Sequence, residues 1–396
     1  MTKVINLARG KPNKDQLDLS NDILNVLNSD DLINNDIDYR NYGILSGIEE
    51  CKSLFGDILG VSKDNVIIYG NSSLNIMYDL ISKSYSHGVN GCTPWCKLPK
   101  IKWLCPVPGY DRHFAITEYF NIEMINIPLN DDGPDMDLIE EYIKDEYVKG
   151  IWCVPKYSNP TGVTYSDEVV RRFARLKPKA KDFRIYWDNA YIIHDLYNES
   201  KDELLNIFTE ASKVNNSDLV YIFTSTSKIT FPGAGVAALA ASSNNILDIL
   251  NQMKYQTISH DKINQLRHVK YFKDINGVKL HMKKHADILR PKFELVESIF
   301  DKELKGLATW TKPLGGYFIS LNVKGIAKEV VELCKSRGVI LTDAGATYPY
   351  HNDPTNSNIR IAPSYLDIEK LKEAINILCD VIKELSKWKI ESILLI

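Results

Sequence analysis

Long hydrophobic runs are missing from this chain. A membrane-spanning helix needs about 20 consecutive apolar residues, and no stretch of the 396 residues approaches that length. The opening residues MTKVINLARGKP contain no hydrophobic secretion signal, and the final apolar stretch ESILLI is too short to cross a bilayer. We therefore expect a soluble protein that has no membrane partner.

An excess of charge of one sign is also missing. The chain has 48 Lys and Arg residues against 51 Asp and Glu residues, which gives a net charge of −3. Nucleic-acid-binding domains usually carry a basic patch, so this balance argues against nucleic acid as a partner. Hydrophobic residues make up 44% of the chain and charged residues 25%, which is typical of a globular protein.

Cysteine is scarce, and its spacing excludes a common metal site. Seven cysteines in a chain without a secretion signal predict reduced thiols and a cytoplasmic location. Cys92, Cys96 and Cys105 lack the paired CxxC spacing of zinc sites, so no metal is predicted. His281 and His285 lie one helical turn apart without the glutamate of a zinc-protease helix, and they predict a solvated helix face.

Short apolar strands alternate with helical stretches over the first 250 residues. Near-continuous apolar runs are typical of strands that are buried on both faces. Their alternation with helices predicts an α/β fold, with a mostly parallel seven-stranded sheet flanked by helices. The predicted strands are 66–69, 102–105, 125–127, 151–154, 185–187, 220–223 and 236–239.

The pattern changes after about residue 250. Long helices with charged faces are predicted between 254 and 300, and a closing amphipathic helix at 367–388. Short strands at 317–319, 339–341 and 360–362 lie between them. We therefore expect a large domain over 48–265 and a smaller α+β domain formed by 1–47 and 266–396.

Polar loops follow five of the predicted strands. Ligands of open parallel sheets bind outside the carboxyl ends of the strands, so this is where chemistry is expected. The loops contain residues 70–73, 108–110, 158–162, 188–191 and 225–228.

A carboxylate and an amine end two of these strands. Asp188 would be costly to bury unless a cation meets it, and burial would lower the pKa of Lys228. Taken singly, Asp188 also suits a helix N-cap and Lys228 a surface position. Together they fit pyridoxal phosphate chemistry, in which a lysine forms a Schiff base and a carboxylate pairs with the protonated pyridine nitrogen.

The other loops offer donors for the rest of such a cofactor. Asn159 and Tyr191 have groups that suit its phenolate oxygen, and an ordinary turn is the alternative for Asn159. Gly70-Asn71-Ser72-Ser73 opens a predicted helix, whose free N–H groups suit a phosphate or, more simply, an ordinary N-cap.

Longer motifs make the chain resemble a known family. SNPTG at 158–162, WDNAY at 187–191 and STSK at 225–228 resemble class I aminotransferases of pyridoxal phosphate fold type I. The chain more closely resembles the subgroup Ic aspartate aminotransferases, which are related to the aminotransferase modules of MocR-type regulators. The motifs of that closer resemblance are LARGKP at 7–12, RNYG at 40–43, CPVPGYDRH at 105–113, DAGAT at 343–347 and SNIRIAP at 357–363.

The resemblance, which covers nearly the whole chain, implies a role for each site residue. Pyridoxal 5′-phosphate would bind Lys228, with Asp188 at its pyridine nitrogen and Tyr110 stacked on its ring. Arg360 would fork onto the substrate α-carboxylate, with Asn159 beside it. The implied phenolate donors are Asn159 and Tyr191, the implied phosphate-site residues are Asn71, Ser72, Ser73 and Ser225, and Tyr42 is implied to reach the phosphate of the partner's cofactor in a homodimer.

The chain departs from the better-known aspartate aminotransferases after the lysine. Those enzymes carry a phosphate-binding arginine there, whereas residues 229–235 include no basic residue. For a distal substrate carboxylate, Arg9, Arg40 and Arg112 are the candidates.

The expected function is that of an aminotransferase. The resemblance implies transfer between aspartate or glutamate and 2-oxoglutarate or oxaloacetate by a ping-pong mechanism. Another pyridoxal enzyme on the same fold is an alternative, such as a lyase, a decarboxylase or an aminotransferase for a different amino acid. A non-catalytic MocR-type module is a further alternative; such regulators add an N-terminal DNA-binding domain, and neither the start of this chain nor its charge suggests one.

Overall fold

The computed structural model describes residues 4–34 and 37–394. In chain order, its α-helices are α1 Lys14–Asp18, α2 Glu49–Leu59, α3 Ser73–His87, α4 Asp111–Tyr119, α5 Met136–Tyr142, α6 Asp167–Ala174, α7 Ile207–Lys213, α8 Ser243–Met253, α9 Lys262–Phe272, α10 Ile275–Glu303, α11 Ala327–Ser336 and α12 Ile368–Leu394. Its strands are β1 Ile5–Asn6, β2 Ile33–Asn34, β3 Ile37–Asp38, β4 Val66–Ile68, β5 Lys102–Val107, β6 Glu123–Asn130, β7 Gly133–Pro134, β8 Val148–Cys153, β9 Arg184–Asp188, β10 Val220–Ser225, β11 Ala237–Ala241, β12 Ala308–Trp310, β13 Ile319–Val323, β14 Val339–Ile340 and β15 Asn358–Ile361.

A large sheet organises the first part of the chain. Its strand order is β4-β11-β10-β9-β8-β5-β6-β7, and neighbours from β10 to β6 pair in parallel. β11 runs antiparallel to both of its neighbours, and the edge strand β7 runs antiparallel to β6. All seven predicted strands occur in this mostly parallel sheet, and β7 adds an eighth strand of two residues.

Both faces of the large sheet are buried, as the near-continuous apolar runs predict. Successive residues of one strand point into different cores, since side chains alternate along a strand. Ile222 belongs to the same hydrophobic core as Phe55 and Phe173 on one face, whereas Phe223 belongs to the core that contains Met77 and Trp103 on the other. Helices therefore cover the sheet on both sides, which leaves the strand ends for the polar loops.

A small sheet forms a second layer. β12, β13 and β15 pair in antiparallel fashion, and their core includes residues of α10 and α12, such as Phe293 and Leu371. The N-terminal β1 joins this layer by pairing in parallel with β14, and Ile5 and Leu7 enter the same core. The domain bounds at 47/48 and 265/266 remain a prediction. Over the described residues, no helix is both long and apolar enough to cross a membrane.

The histidines of α10 differ from the prediction. His281 and His285 are buried, and His281 Nε2 lies 2.9 Å from the carbonyl oxygen of Ile229. Gln16 covers His285, with Nε2 3.1 Å from Nδ1. The predicted solvated face is therefore wrong, because helical spacing shows that two residues share a face but not that the N-terminal segment covers it.

Candidate active site

Two adjoining cavities lie at the carboxyl ends of the large-sheet strands. Their volumes are about 360 Å³ and about 250 Å³, and small-molecule sites typically measure about 300–1,000 Å³. Both are lined by Tyr110, Asn159, Tyr191 and Lys228. The first also contains Asn71, Ser72, Ser73, Asp188 and Ser225, and the second Arg9, Asp111, Arg112 and Arg360.

Lys228 lies in the connection between β10 and its antiparallel neighbour β11. The Thr226 N–H donates to the carbonyl oxygen of Val236 at 2.8 Å, which closes the base of this loop. The Lys228 Nζ lies 4.9 Å from the centre of the Tyr191 ring. Burial lowers the pKa of Lys228, and the negative charge of Asp188 opposes that shift in part. The amine is therefore neutral over a wider pH range than a surface lysine.

Asp188 ends β9 with one carboxylate oxygen in use and the other unpartnered. Oδ2 accepts a hydrogen bond from His113 Nε2 at 3.0 Å. Oδ1 is buried and has no hydrogen-bond partner among the described residues, although Asp188 lines the larger cavity. His113 itself stacks on Trp152, with ring centres 4.6 Å apart.

His113 was missed by the sequence analysis. The available signal was the spacing of His113 from Tyr110. Tyr110 occupies the N-cap position of α4, and a residue three positions further along lies on the same side of the helix. The two rings meet edge-on at 4.8 Å. His113 thus contacts both the predicted ring-stacking residue and the carboxylate.

Hydrogen bonds tie the lysine loop to the start of α3. Ser225 Oγ donates to Ser227 Oγ at 3.1 Å, and Ser227 Oγ donates to the carbonyl oxygen of Asn71 at 2.8 Å. Ser72 precedes α3, and within the described chain its side chain makes no capping hydrogen bond. The first N–H groups of a helix have no partner inside it, so this corner of the cavity suits an anion.

Asn159 and Tyr191 are both buried, with 3% and 2% of their surface exposed. Burial raises the pKa of the Tyr191 phenol well above its usual value. The phenol therefore remains protonated and able to donate a hydrogen bond. Both residues line the two cavities together with Lys228.

Arg360 on β15 is held mainly by a carboxylate that the sequence analysis did not single out. Its Nη1 lies 2.6 Å from Asp111 Oδ1 and 3.4 Å from Asn159 Oδ1. The guanidinium carbon lies 5.0 Å from the centre of the Phe318 ring. The guanidinium of Arg360 therefore contacts the Phe318 ring and the Asp111 carboxylate, and Arg360 lines the smaller cavity.

The three candidate arginines for a distal carboxylate separate into two groups. Arg9 and Arg112 line the smaller cavity together with Lys11. Arg40 does not line it, and its Nε and Nη2 bind the carboxylate of Asp38 at 2.8 and 2.7 Å. Among the described residues, Arg40 is therefore not part of the cavity of its own subunit.

A model of the aspartate amino-transferase family matches residues 2–391. The chain belongs to this family. It is therefore an aminotransferase of the pyridoxal-phosphate fold type I class, as the sequence motifs predict.

Relatives and solved structures agree with this membership. The chain is 46% identical over 377 residues to an aspartate aminotransferase of Corynebacterium glutamicum, covering 94% of this chain and 87% of the relative. The crystal structure of an aspartate transaminase from that organism has a TM-score of 0.93 and 44% identity, covering 96% and 91% of the two chains. An α-aminoadipate aminotransferase of Thermus thermophilus, solved with N-(5′-phosphopyridoxyl)-L-leucine, shares the fold at 19% identity with a TM-score of 0.77, covering 96% and 92%.

Among the described residues, Tyr42 lies apart from the other predicted cofactor-binding residues of the aminotransferase. Its side chain is 81% exposed, and it is not among the described residues that line either cavity. The flanking carbonyl groups of Asn41 and Gly43 accept hydrogen bonds from Lys262 Nζ, and Lys262 is buried. The loop is therefore anchored while the tyrosine points outward.

Proposed function

We propose that this aminotransferase binds pyridoxal 5′-phosphate and transfers the amino group of aspartate or glutamate to 2-oxoglutarate or oxaloacetate by a ping-pong mechanism. The observation that carries the cofactor assignment is the buried Oδ1 of Asp188, which has no partner in the described part of the chain and belongs to a residue lining the same cavity as Lys228. The protonated ring nitrogen of the cofactor would donate a hydrogen bond to that oxygen. The aldehyde of the cofactor would react with the neutral amine of Lys228. The residues present thus fit this cofactor at both ends of its ring.

Each remaining contact has a candidate in the larger cavity. Asn159 and Tyr191 would donate to the phenolate oxygen, and Tyr110 would cover one face of the ring. The phosphate would bind the N–H groups at the start of α3 and the hydroxyls of Ser72, Ser73 and Ser225. Backbone and hydroxyl donors there would replace the arginine that residues 229–235 lack.

Three side chains have separate roles in the reaction: Asp188 and His113 act at the cofactor's ring nitrogen, and Lys228 acts on the substrate proton. Bound pyridoxal phosphate supplies an electron sink for the substrate carbanion. The carboxylate of Asp188 would keep the ring nitrogen protonated, and His113, which contacts Oδ2, would orient that carboxylate. Lys228 Nζ, neutral at lower pH than an ordinary lysine, would accept the proton from the substrate Cα and would then donate it, as a general acid, to the cofactor carbon that carried the aldehyde.

Cations in the smaller cavity support a dicarboxylate substrate. Arg360 would bind the α-carboxylate in the planar, bidentate manner of arginine. Arg9 or Arg112 would bind the distal carboxylate. The aspartate aminotransferase of Corynebacterium glutamicum, at 46% identity, is named for a substrate of this class.

A substrate panel tests the proposed reaction. Each amino acid is mixed with the holoenzyme in the absence of an oxoacid, and the cofactor absorbance and released products are followed. We expect aspartate and glutamate to convert the cofactor and to yield oxaloacetate and 2-oxoglutarate in stoichiometric amounts. Release of carbon dioxide or ammonia would instead indicate a decarboxylase or a lyase, and conversion only by aromatic or basic amino acids would contradict the substrate assignment.

We further propose a homodimer in which Tyr42 completes the partner's phosphate site. The exposed phenol on an anchored loop supports this arrangement, and a two-fold interface would let each subunit give and receive one contact. Tyr42→Phe should weaken cofactor binding modestly, because one hydrogen bond contributes about 0.5–1.5 kcal/mol. The dimer itself should remain intact in size-exclusion chromatography.

Mixed dimers of Tyr42→Phe and Lys228→Ala chains show which subunit supplies the tyrosine. The one site that retains Lys228 would take its tyrosine from the Lys228→Ala chain, so its cofactor affinity should equal that of the parent. A Tyr42 defect that persists in that site, or a protein that is monomeric at working concentration, would contradict the proposal.

A further inference from the structure

Arg360 is already paired with a carboxylate of its own chain. The Nη1–Oδ1 distance to Asp111 is 2.6 Å, and the two side chains are 8% and 26% exposed. Asp111 begins α4 beside the large sheet, whereas Arg360 lies on β15 of the small sheet. The ion pair therefore bridges the two layers across the smaller cavity.

The other hydrogen-bond partners of Arg360 are much weaker. Asn159 Oδ1 and Thr342 Oγ1 both lie at 3.4 Å, and Nε is buried without a partner among the described residues. Of the described partners, Asp111 is therefore the one at the distance of a charge-assisted hydrogen bond. It presents to the guanidinium the same chemical group that an amino acid or oxoacid substrate would present.

We propose that Asp111 is an internal carboxylate that occupies Arg360 in the empty site and must leave it when a substrate carboxylate binds. This inference rests on the proposed role of Arg360. In the empty site, Asp111 prevents a buried cation from standing unpaired, which is strongly unfavourable. In the occupied site, the substrate takes over that function, and Asp111 lowers the affinity of every carboxylate ligand by competing with it.

The position of Asp111 allows such an exchange. The side chain is partly exposed, so its release does not leave an isolated charge in the protein interior. It also lies in the first turn of α4, where the helix dipole favours a negative charge. Arg112, the next residue along the helix, is exposed and adds a nearby cation.

The test uses the affinities of two unreactive ligands, propionate and succinate, for the holoenzyme. Neither has an amino group, so calorimetry reports binding without turnover. We expect Asp111→Asn to lower the Kd of both ligands by about tenfold, the scale of a close charge pair. The factor should be the same for both, because the competition takes place at one guanidinium.

A long-range electrostatic effect of Asp111 would give a different result from direct competition at Arg360. If Asp111 merely reduces the positive potential of the cavity, the doubly charged succinate should gain distinctly more than propionate. That result, or unchanged or weaker binding, would overturn the inference. Glu118→Gln is the matched control, because Glu118 is an exposed acid seven residues further along α4, and it should leave both Kd values unchanged.

An Arg360→Lys background separates this inference from the proposed function. Lysine cannot reproduce the planar contact, so both ligands should bind more weakly, and Asp111→Asn should no longer tighten them. If Arg360→Lys leaves both affinities unchanged, Arg360 is not the carboxylate site, and both proposals fail. If it weakens binding while Asp111→Asn alone has no effect, only the role of Asp111 fails. Asp111→Ser serves as a second variant, and thermal unfolding verifies that each variant is folded.

Discussion

Replacing Lys228 by alanine is expected to abolish amino-group transfer while the protein remains folded. The variant loses both the amine that would attach the cofactor and the general base for the substrate Cα proton. General acid–base catalysis alone contributes about 10²–10⁴-fold, so the rate should fall by at least that factor. Lys228 lies in a cavity wall and not in a packed core, so the thermal unfolding temperature should change little.

Borohydride reduction followed by mass spectrometry measures the attachment directly. The parent should show a cofactor adduct at residue 228, and the Lys228→Ala variant should show none. Lys279→Ala is the matched control, because Lys279 is an exposed lysine on α10, and it should retain both the adduct and full activity. A reducible lysine adduct in Lys228→Ala would refute the assignment.

The pH dependence of cofactor attachment provides a second measurement of the same amine. Only the neutral amine reacts with the cofactor's aldehyde, and burial lowers the pKa of Lys228 below the ordinary value of 10.5. The rate at which the apoenzyme takes up pyridoxal phosphate should therefore reach half of its maximum below pH 10.5. A midpoint at or above that pH would contradict the buried position of the amine.

The sequence was sufficient to predict those parts of the site that follow single strands. Asp188 comes directly after a strong apolar run, and Tyr110, Asn159 and Lys228 each lie five residues after the end of one. The carboxyl ends of parallel strands meet at one sheet edge. Their gathering around one pair of cavities therefore follows from local patterns. Their individual roles come from the family resemblance, and they remain predictions.

Contacts between distant segments were beyond the reach of those patterns. His113 and Asp188 are 75 residues apart, and Asp111 and Arg360 are 249 residues apart. Which acidic side chain contacts which basic side chain depends on how the two layers pack. Neither the hydrophobic periodicity nor the composition of the sequence contains that information. The same reason explains the buried histidines of α10, whose cover comes from the N-terminal segment.

The local sequence pattern also did not predict the direction of a strand or the presence of a very short strand. The run at 236–239 predicted a strand, but its apolar residues look the same in either direction, and it pairs in antiparallel fashion with β10. β7 consists of Gly133 and Pro134, which are both poor strand formers. β7 forms because the chain reverses direction after β6 and pairs with the free edge of that strand.

Asp188→Ala should have the second large effect, and it should separate catalysis from cofactor binding. Without the carboxylate, the cofactor's ring nitrogen has no partner to keep it protonated, and the electron sink for the substrate carbanion is lost. We expect the rate to fall by orders of magnitude while the cofactor remains attached at Lys228. The half-reaction with aspartate, followed by absorbance in a single turnover, measures this fall.

Two further variants decide whether the carboxylate acts as proposed. His113→Phe keeps a ring beside Trp152 but removes the hydrogen bond to Asp188, so it should slow the half-reaction less than Asp188→Ala does. Asp188→Asn removes the negative charge that raises the pKa of Lys228, so the pH midpoint of cofactor uptake should fall below that of the parent. Near-normal turnover in Asp188→Ala would show that the ring nitrogen has another partner, and an unchanged midpoint in Asp188→Asn would show that the two charges do not interact.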